Sequence, residues 1–538
     1  MKKTTLLLLC LVLWLGPEAA WPADVGPTYA VVNCKVVPVS GPVLDNGTIV
    51  IRDGLIKAVG PTDKVIIPED AEIIDGQGLT AYPGLLDAHS QVFLEPAREE
   101  PASLGRGAPA QPQPAAAQGF TPERQAFKLL KPTKAERAGL HRLGFATVLV
   151  VPSKGIFAGQ SVLLNLNGDK TEAMVVRQPV ALHINFTTER GVYPSSLMGT
   201  MAALRQSFLD AQDYARHQTA WQASPRRFKR PEFSPFLEAL VPYVVGKRPV
   251  IFTCANQEDI KRAIGLAEEF KLNVLLSGAN EAWRVVEAVK KARLPLLISL
   301  SFKPPLTSLY ANQGDELKKK AEDEIYPANP AALYKAGLSF ALTSYGLTKA
   351  DDVLKNAQAA IKAGLPREEA LKALTIHPAR FLGVEALLGS LEAGKIANII
   401  LTSGEIFEEK TQVKKIFVDG QMFTVEKPPP AAAGPAAVSL NGAWQGKITS
   451  PMGEVDISLE LDQQGSQVTG TATVMGNKRD LSEGTLNGNA LAFTIQTEIM
   501  GQAMSFAFQG TADKDAIQGS MATPMGSAEV RLTRVPKD

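Results

Sequence analysis

The sequence predicts an α/β protein built on a (β/α)8 TIM-type barrel, with β-rich segments on both sides of the barrel and a further all-β domain at the C-terminal end. Three observations predict it. Between about residues 125 and 385, strand-length apolar runs alternate with helical stretches, which is the rhythm of a parallel sheet covered by helices. The number of these runs and the length they span point to closure into a barrel. Outside that stretch the pattern becomes short β-like runs broken by turn residues, and residues 438–536 show no helical period. A chain of 538 residues also exceeds what one core supports, so several domains are expected.

The N-terminus reads MKKTTLLLLCLVLWLGPEAAWPAD. Two lysines precede an apolar run, and small residues follow it, so residues 1–23 are expected to be a secretory signal peptide, too short for a comfortable membrane span. The protein is then exported, periplasmic or extracellular, with no membrane span. Net charge is +1, with 21% charged residues and no basic stripe, so nucleic acid is not an expected partner. Cys34 and Cys254 would remain after cleavage. An oxidising compartment permits a disulfide between them, but they fall in different structural layers and read better as two buried thiols.

Residues 28–82 carry YAVVNCKVVPV, TIVIRDG, LIKAVG and AEIIDG, whose Asp/Asn–Gly dipeptides are hairpin and turn chemistry. DNG at 45–47 reads as a turn of this kind. PGLLDAHSQ follows, an apolar strand that ends in Asp87, His89 and Gln91, three positions two apart and so on one face. The Pro/Ala/Gln-rich stretch at 96–120 buries little and reads as a mobile loop. The barrel strands are FATVLVVPS, PVALHINF, RPVIFTCAN, NVLLSGAN, LPLLISLSF and LSFALTSYG, with QEDIKRAIGLAEEF and EAWRVVEAVKKA among the helices between them. After 386, IANIILT and KKIFVDG return to β, and 427–437 is a Pro/Ala linker. In 438–536, Met-Gly recurs at 452–453, 475–476, 500–501 and 525–526, which suggests repeated hairpins in a small barrel or sandwich.

The order of β-segment, PGLLDAHSQ, barrel, ALTIHPARFLG and GSLEAGKIANIIL…VKKIFVDG resembles the amidohydrolase superfamily, nearest to its imidazolonepropionase-like group of metal-dependent C–N bond hydrolases. The resemblance covers about residues 28–425. It implies that 28–82 and 386–426 form one composite β-sandwich flanking a barrel over 83–385. It also implies one or two divalent metals at the C-terminal mouth of the barrel, where a metal lowers the pKa of a bound water and polarises the scissile carbonyl.

The resemblance also says where the ligands should fall. Strand one should give His-x-His, and here gives His89 and Gln91; a neutral amide is a poor substitute for imidazole. Strand five should end in His and ends at Thr253, with Cys254 on the opposite face. Strand six should end in His and offers Ser277 or Gly278. Strand eight should give the Asp that acts as base and gives Tyr345, beside Ser344. Of five histidines, His141 and His217 sit in helix-like stretches and His377 lies on the late helix as packing or surface. His183 is either a metal ligand or a hydrogen-bonded histidine near the rim. Asp87 reads as a hydrogen-bonding anchor for the strand end in preference to a metal ligand, and Asn398 as structural. His89 is thus the single ligand the resemblance places, whereas a metal site needs three or four.

Three functional readings follow. The first is an exported pseudoenzyme, kept for binding or for partnering a catalytically intact amidohydrolase paralogue, with no cofactor. The second is a working C–N hydrolase with an altered site, in which His89, His183, Glu95 and Tyr345 hold a weak metal such as zinc, or His89 acts as a base without one. The third places the activity in the C-terminal domain as an adhesion or carbohydrate-contact module, where Trp444 either stacks on a ligand or fills the core.

Overall fold

The computed structural model describes residues 26–94, 119–168, 170–187, 194–304, 315–347, 349–425 and 439–535, apart from 451–452, 466, 475, 488, 500–501 and 524–525. The expected leader, Glu95, most of the 96–120 stretch and the 427–437 linker lie outside the described residues. The chain divides into two compact units, Met1–Val425 and Glu426–Asp538.

The first unit opens with Tyr29–Val36 (β1), Leu44–Arg52 (β2), Leu55–Pro61 (β3), Glu72–Asp75 (β4) and Thr80–Pro83 (β5). The barrel strands are Leu85–Ser90 (β6), Phe145–Val150 (β7), Phe157–Gln160 (β8), Val162–Asn165 (β9), Val175–Arg177 (β10), Leu182–Asn185 (β11), Val250–Cys254 (β12), Val274–Gly278 (β13), Leu296–Ser299 (β14) and Phe340–Thr343 (β15). Ile399–Thr402 (β16), Val413–Val418 (β17) and Gln421–Thr424 (β18) complete the unit.

Strands from both ends of the unit share one sheet, ordered β18-β17-β16-β5-β1-β2-β3 with β4 on β1. Val31, Ile49, Ile51, Ile399 and Phe417 meet in a single buried cluster, so the two distant segments share a core. Their hairpins use the expected chemistry. Asp53 and Gly54 have φ of 54° and 74°, and Asp419 and Gly420 have φ of 49° and 75°. Positive φ at both central residues gives the turn whose twist matches the flanking strands. The DNG at 45–47 is a correction, because it lies inside β2 rather than in a turn.

Six of the barrel staves are the six runs read from the sequence, and PGLLDAHSQ supplies another as β6. The remaining one is a departure. β6 and β7 are parallel, and β11 to β15 are parallel in succession. β9 pairs antiparallel with β7, and β8 pairs antiparallel with β11. A stave broken at Ser161 therefore runs against the other seven. The connection from Val150 to Phe157 is too short for the cause to be anything else, because a parallel crossover needs about a dozen residues or more. Gly159 hid this stave in the sequence; its φ is 121° and a Cβ there would stand 2.5 Å from Arg124 O.

Alternation divides the strands into two faces. Leu86, Leu149, Leu163, Ile251, Leu275, Leu297 and Ala341 form one cluster with Leu382 and Leu388 from the segment that follows the barrel. Their neighbours, including Val148, Phe252, Leu276 and Ile298, pack against helix residues such as Phe208, Ile260 and Leu266. The helix Gln257–Phe270 shows why these elements form. Asn256 Oδ1 accepts from the backbone N–H of Glu258 at 2.9 Å and Asp259 at 3.0 Å, satisfying two otherwise unpaired donors. Ile260, Ala263, Ile264, Ala267 and Phe270 then make the buried stripe.

The second unit is an eight-stranded closed barrel: Gly442–Ser450 (β19), Gly453–Gln464 (β20), Gln467–Val474 (β21), Asn477–Asn487 (β22), Ala490–Ile499 (β23), Gln502–Ala512 (β24), Ala516–Thr523 (β25) and Gly526–Arg534 (β26). Each strand pairs with the next, and β26 returns to β19. Gly453 and Gly526 open β20 and β26, and Gly476 immediately precedes β22. The Met-Gly repeat is thus a hairpin repeat at these positions, while Met452, Met475, Met500, Gly501 and Met525 lie outside the described residues. Trp444 is fully buried in the core, which excludes a stacking role on an exposed ligand.

Candidate active site

β6 ends at Ser90, and the residues around its end build the candidate site. Asp87 and His89 are buried, while Gln91 lies just past the strand and is exposed. Gln91 is therefore not a strand residue. It lines the same cavity of about 220 Å³ as Asp87, His89, Ser344 and Tyr345.

Asp87 anchors β15 to β6. Its Oδ1 accepts from the Ser344 backbone N–H at 3.1 Å and from the His89 backbone N–H at 3.2 Å. Ser344 Oγ–H donates a further bond to Asp87 Oδ2. Burial nevertheless dominates and pushes the carboxyl up to about 6, with the hydrogen bonds from Ser344 and His89 pulling the other way.

His89 Nδ1 is hydrogen-bonded to Ser277 Oγ at 2.6 Å. Of the two residues that strand six offers, Ser277 is the one whose side chain touches His89. Gly278 instead takes φ of 83°, and a Cβ there would lie 2.9 Å from Cys254 O and 3.6 Å from Tyr345 Cε1. The Tyr345 ring lies 4.4 Å from the His89 ring, tilted by 42°. Burial pushes His89 down to about 3, so the imidazole is neutral at physiological pH. Tyr345 is pushed up, by burial first and then by the Cys254 thiol. Ser299 Oγ–H donates to Tyr345 O, and accepts from Ser301 N–H at 2.9 Å. Ser299 thus holds the Tyr345 backbone, with its own hydroxyl oriented by the Ser301 N–H; the alternation in LISLSF was the signal that could have found it.

His183 comes within 5.6 Å of His89, ring centre to ring centre, nearly edge-on at 77°. It is 1% exposed, and neither ring nitrogen has a hydrogen-bond partner among the described residues. Burial and then the neighbouring His89 hold it well below the usual histidine range. Thr253 sits opposite Asn185 and Ser277 in the ladder but does not line the cavity. Cys254 packs into the barrel–helix core, and Cys34 is likewise a buried free thiol. The other histidines are occupied elsewhere. His141 Nε2 meets Leu166 O at 2.8 Å, His217 Nε2 meets Lys229 O at 2.9 Å and His377 Nδ1 meets Phe340 O at 3.0 Å. Asn398 joins Thr147, Asn165 and the Asp419 N–H in a buried polar network.

The donor set can be tested against a divalent metal. Among the described residues no three His, Cys, Asp or Glu side chains converge to hold one. Asp87 is engaged by Ser344, and one nitrogen of His89 by Ser277. Two imidazoles fall short of the three or four ligands such an ion takes. Among the described residues, which leave out Glu95, the donor set does not fit the group.

Comparison with known proteins locates the chain. The amidohydrolase family model matches residues 253–423. An imidazolonepropionase of Symbiobacterium thermophilum is 24% identical over 396 residues, 67% of this chain and 84% of that protein. Amidohydrolase tasK of Hapsidospora irregularis is 23% identical over 407 residues; these are 70% of this chain but only 39% of that protein. Among solved structures, an amidohydrolase from Thermotoga maritima MSB8 aligns with a TM-score of 0.61 at 26% identity, covering 74% of this chain and 100% of its own.

Proposed function

The chain belongs to the amidohydrolase superfamily, in its imidazolonepropionase-like group, and from that premise we propose that its barrel is a catalytically degenerate, exported scaffold for binding. Its relatives act on C–N bonds; this barrel keeps their strand ends with other side chains on them. The observation that carries the reading is the use made of His89. Its Nδ1 is tied to Ser277, 2.6 Å away, and the Tyr345 ring lies against it. The family's remaining ligand is a structural partner here. Thr253 and Tyr345 stand where a His and the base would be, and a phenol pushed above its ordinary pKa is a poor base at neutral pH. A catalytically complete amidohydrolase is the partner this reading calls for.

One observation favours an active hydrolase with an altered site. His183 is buried beside His89 with both nitrogens unpaired, and such a group is costly unless something satisfies it. Hydrolysis of cyclic amides by the purified protein separates the two. The scaffold reading predicts no turnover above background in the wild type. Turnover that disappears in both His89→Ala and His183→Ala overturns it.

A further inference from the structure

The sequence carries no long basic stripe, but RRFKR at 226–230 sets four cations within five residues, with Trp221, Phe228 and Phe233 around them. These residues lie where the helix Leu197–Ala223 passes to the helix Pro235–Val244. The two helices are fastened to each other, since Tyr214 Oη–H and Gln218 Nε2–H both donate to Glu238 Oε2 at 3.1 Å. The loop between them is also held. Arg227 N–H and Phe228 N–H donate to Ser224 O at 3.0 and 3.2 Å, and His217 Nε2–H donates to Lys229 O at 2.9 Å. Ser234 Oγ then accepts from Leu237 N–H at 3.3 Å and caps the second helix.

This fixed loop differs from the rest of the surface in what it presents. Arg226, Arg227, Lys229 and Arg230 are all exposed, and among the described residues none of them meets a carboxylate. Elsewhere exposed arginines are matched: Arg205 with Glu269, Arg216 with Asp213, Arg380 with Glu385, and Arg367 with Glu405 and Glu408. Two guanidiniums of the loop lie by aromatic rings instead. Arg230 stands 5.2 Å from the Trp221 ring centre and Arg227 5.6 Å from that of Phe228. Phe228 and Phe233 are 39% and 71% exposed, a placement that water does not favour. Glu232 is the one carboxylate in the loop sequence.

Clustered cations with exposed aromatic rings between them suit a surface that is anionic outside and apolar beneath. A phospholipid bilayer is such a surface, because its anionic headgroups attract cations and aromatic rings settle at headgroup level. A nucleic-acid strand would need the positive charge to continue along a groove, whereas the two helices carry exposed Asp210, Asp213 and Glu238 behind the loop. We propose that this loop docks the protein peripherally on an anionic phospholipid surface. Phe228 and Phe233 enter the headgroup layer, and Arg226, Arg227, Lys229 and Arg230 meet the lipid phosphates.

Co-sedimentation of the purified protein with phospholipid vesicles tests this. Binding is expected to vesicles of equimolar phosphatidylglycerol and phosphatidylcholine but not to phosphatidylcholine alone, and it should weaken steeply as salt rises. Arg226→Glu combined with Arg227→Glu should weaken it by about tenfold. Phe233→Ser should weaken it several-fold and leave the salt dependence in place. Circular dichroism confirms the fold of each variant. No binding by folded wild type, equal binding to both kinds of vesicle, or equal binding by the double variant overturns the proposal. Tighter binding to a DNA duplex than to the vesicles, with Phe233→Ser without effect on either, also overturns it and assigns the loop to a nucleic acid.

Discussion

Ser277 Oγ and His89 Nδ1 lie 2.6 Å apart, joining the sixth stave of the barrel to the first. Both groups are buried, so neither can turn to water in place of the other. Ser277→Ala leaves a buried imidazole nitrogen unpaired and should destabilise the barrel by about 1–3 kcal/mol. Urea unfolding followed on the barrel's transition measures it. A variant as stable as wild type would mean that the bond contributes nothing.

Asp87 gives a pH prediction. Its carboxyl titrates at about 6 in the folded protein against an ordinary 3.8, so the folded state holds the proton more tightly. That stabilisation is complete below 3.8 and is lost as pH rises through 6. Asp87→Asn keeps an oxygen for the two N–H donors and offers Ser344 Oγ an N–H. The variant should therefore gain on wild type between pH 4 and 7, reaching up to about 3 kcal/mol. Equal stability differences at both pH values would contradict this.

The buried histidines act in the opposite direction. His89 is held at about 3 and His141 at about 4, both by burial. Their contribution is present above 6.5 and is lost as pH falls toward those values. Asp87→Asn should therefore show a steeper loss of stability on acidification than wild type, read from midpoints at pH 7, 6 and 5.

Gly278 takes a φ of 83°, and a Cβ would press on Cys254 O at 2.9 Å. Gly278→Ala combines backbone strain with this clash and should cost about 1–3 kcal/mol. The same unfolding measurement checks it, and a neutral result would show that the β13 end relaxes freely.

The fold was legible because it rests on periodicity. The helix over 257–270 and the strand over 250–254 follow from apolar spacing and from the Asn256 cap. The antiparallel stave was not legible, since Gly159 and the break at Ser161 leave no clean alternation. At the site, the resemblance named the strand ends but not what they do. The bond between Ser277 and His89 joins residues 188 apart in sequence, so no local pattern announces it. The approach of His183 to His89 spans two staves far apart in sequence, a distance set by barrel closure rather than by residue spacing.

The central claim is that the barrel mouth is not a metal site. Elemental analysis of the purified protein after exhaustive dialysis tests it most directly, with His89→Ala and His183→Ala measured alongside. The account predicts that zinc, manganese and iron are all well below one equivalent per chain, with no difference among the three proteins. One equivalent that survives dialysis in wild type and is lost from both variants would contradict it.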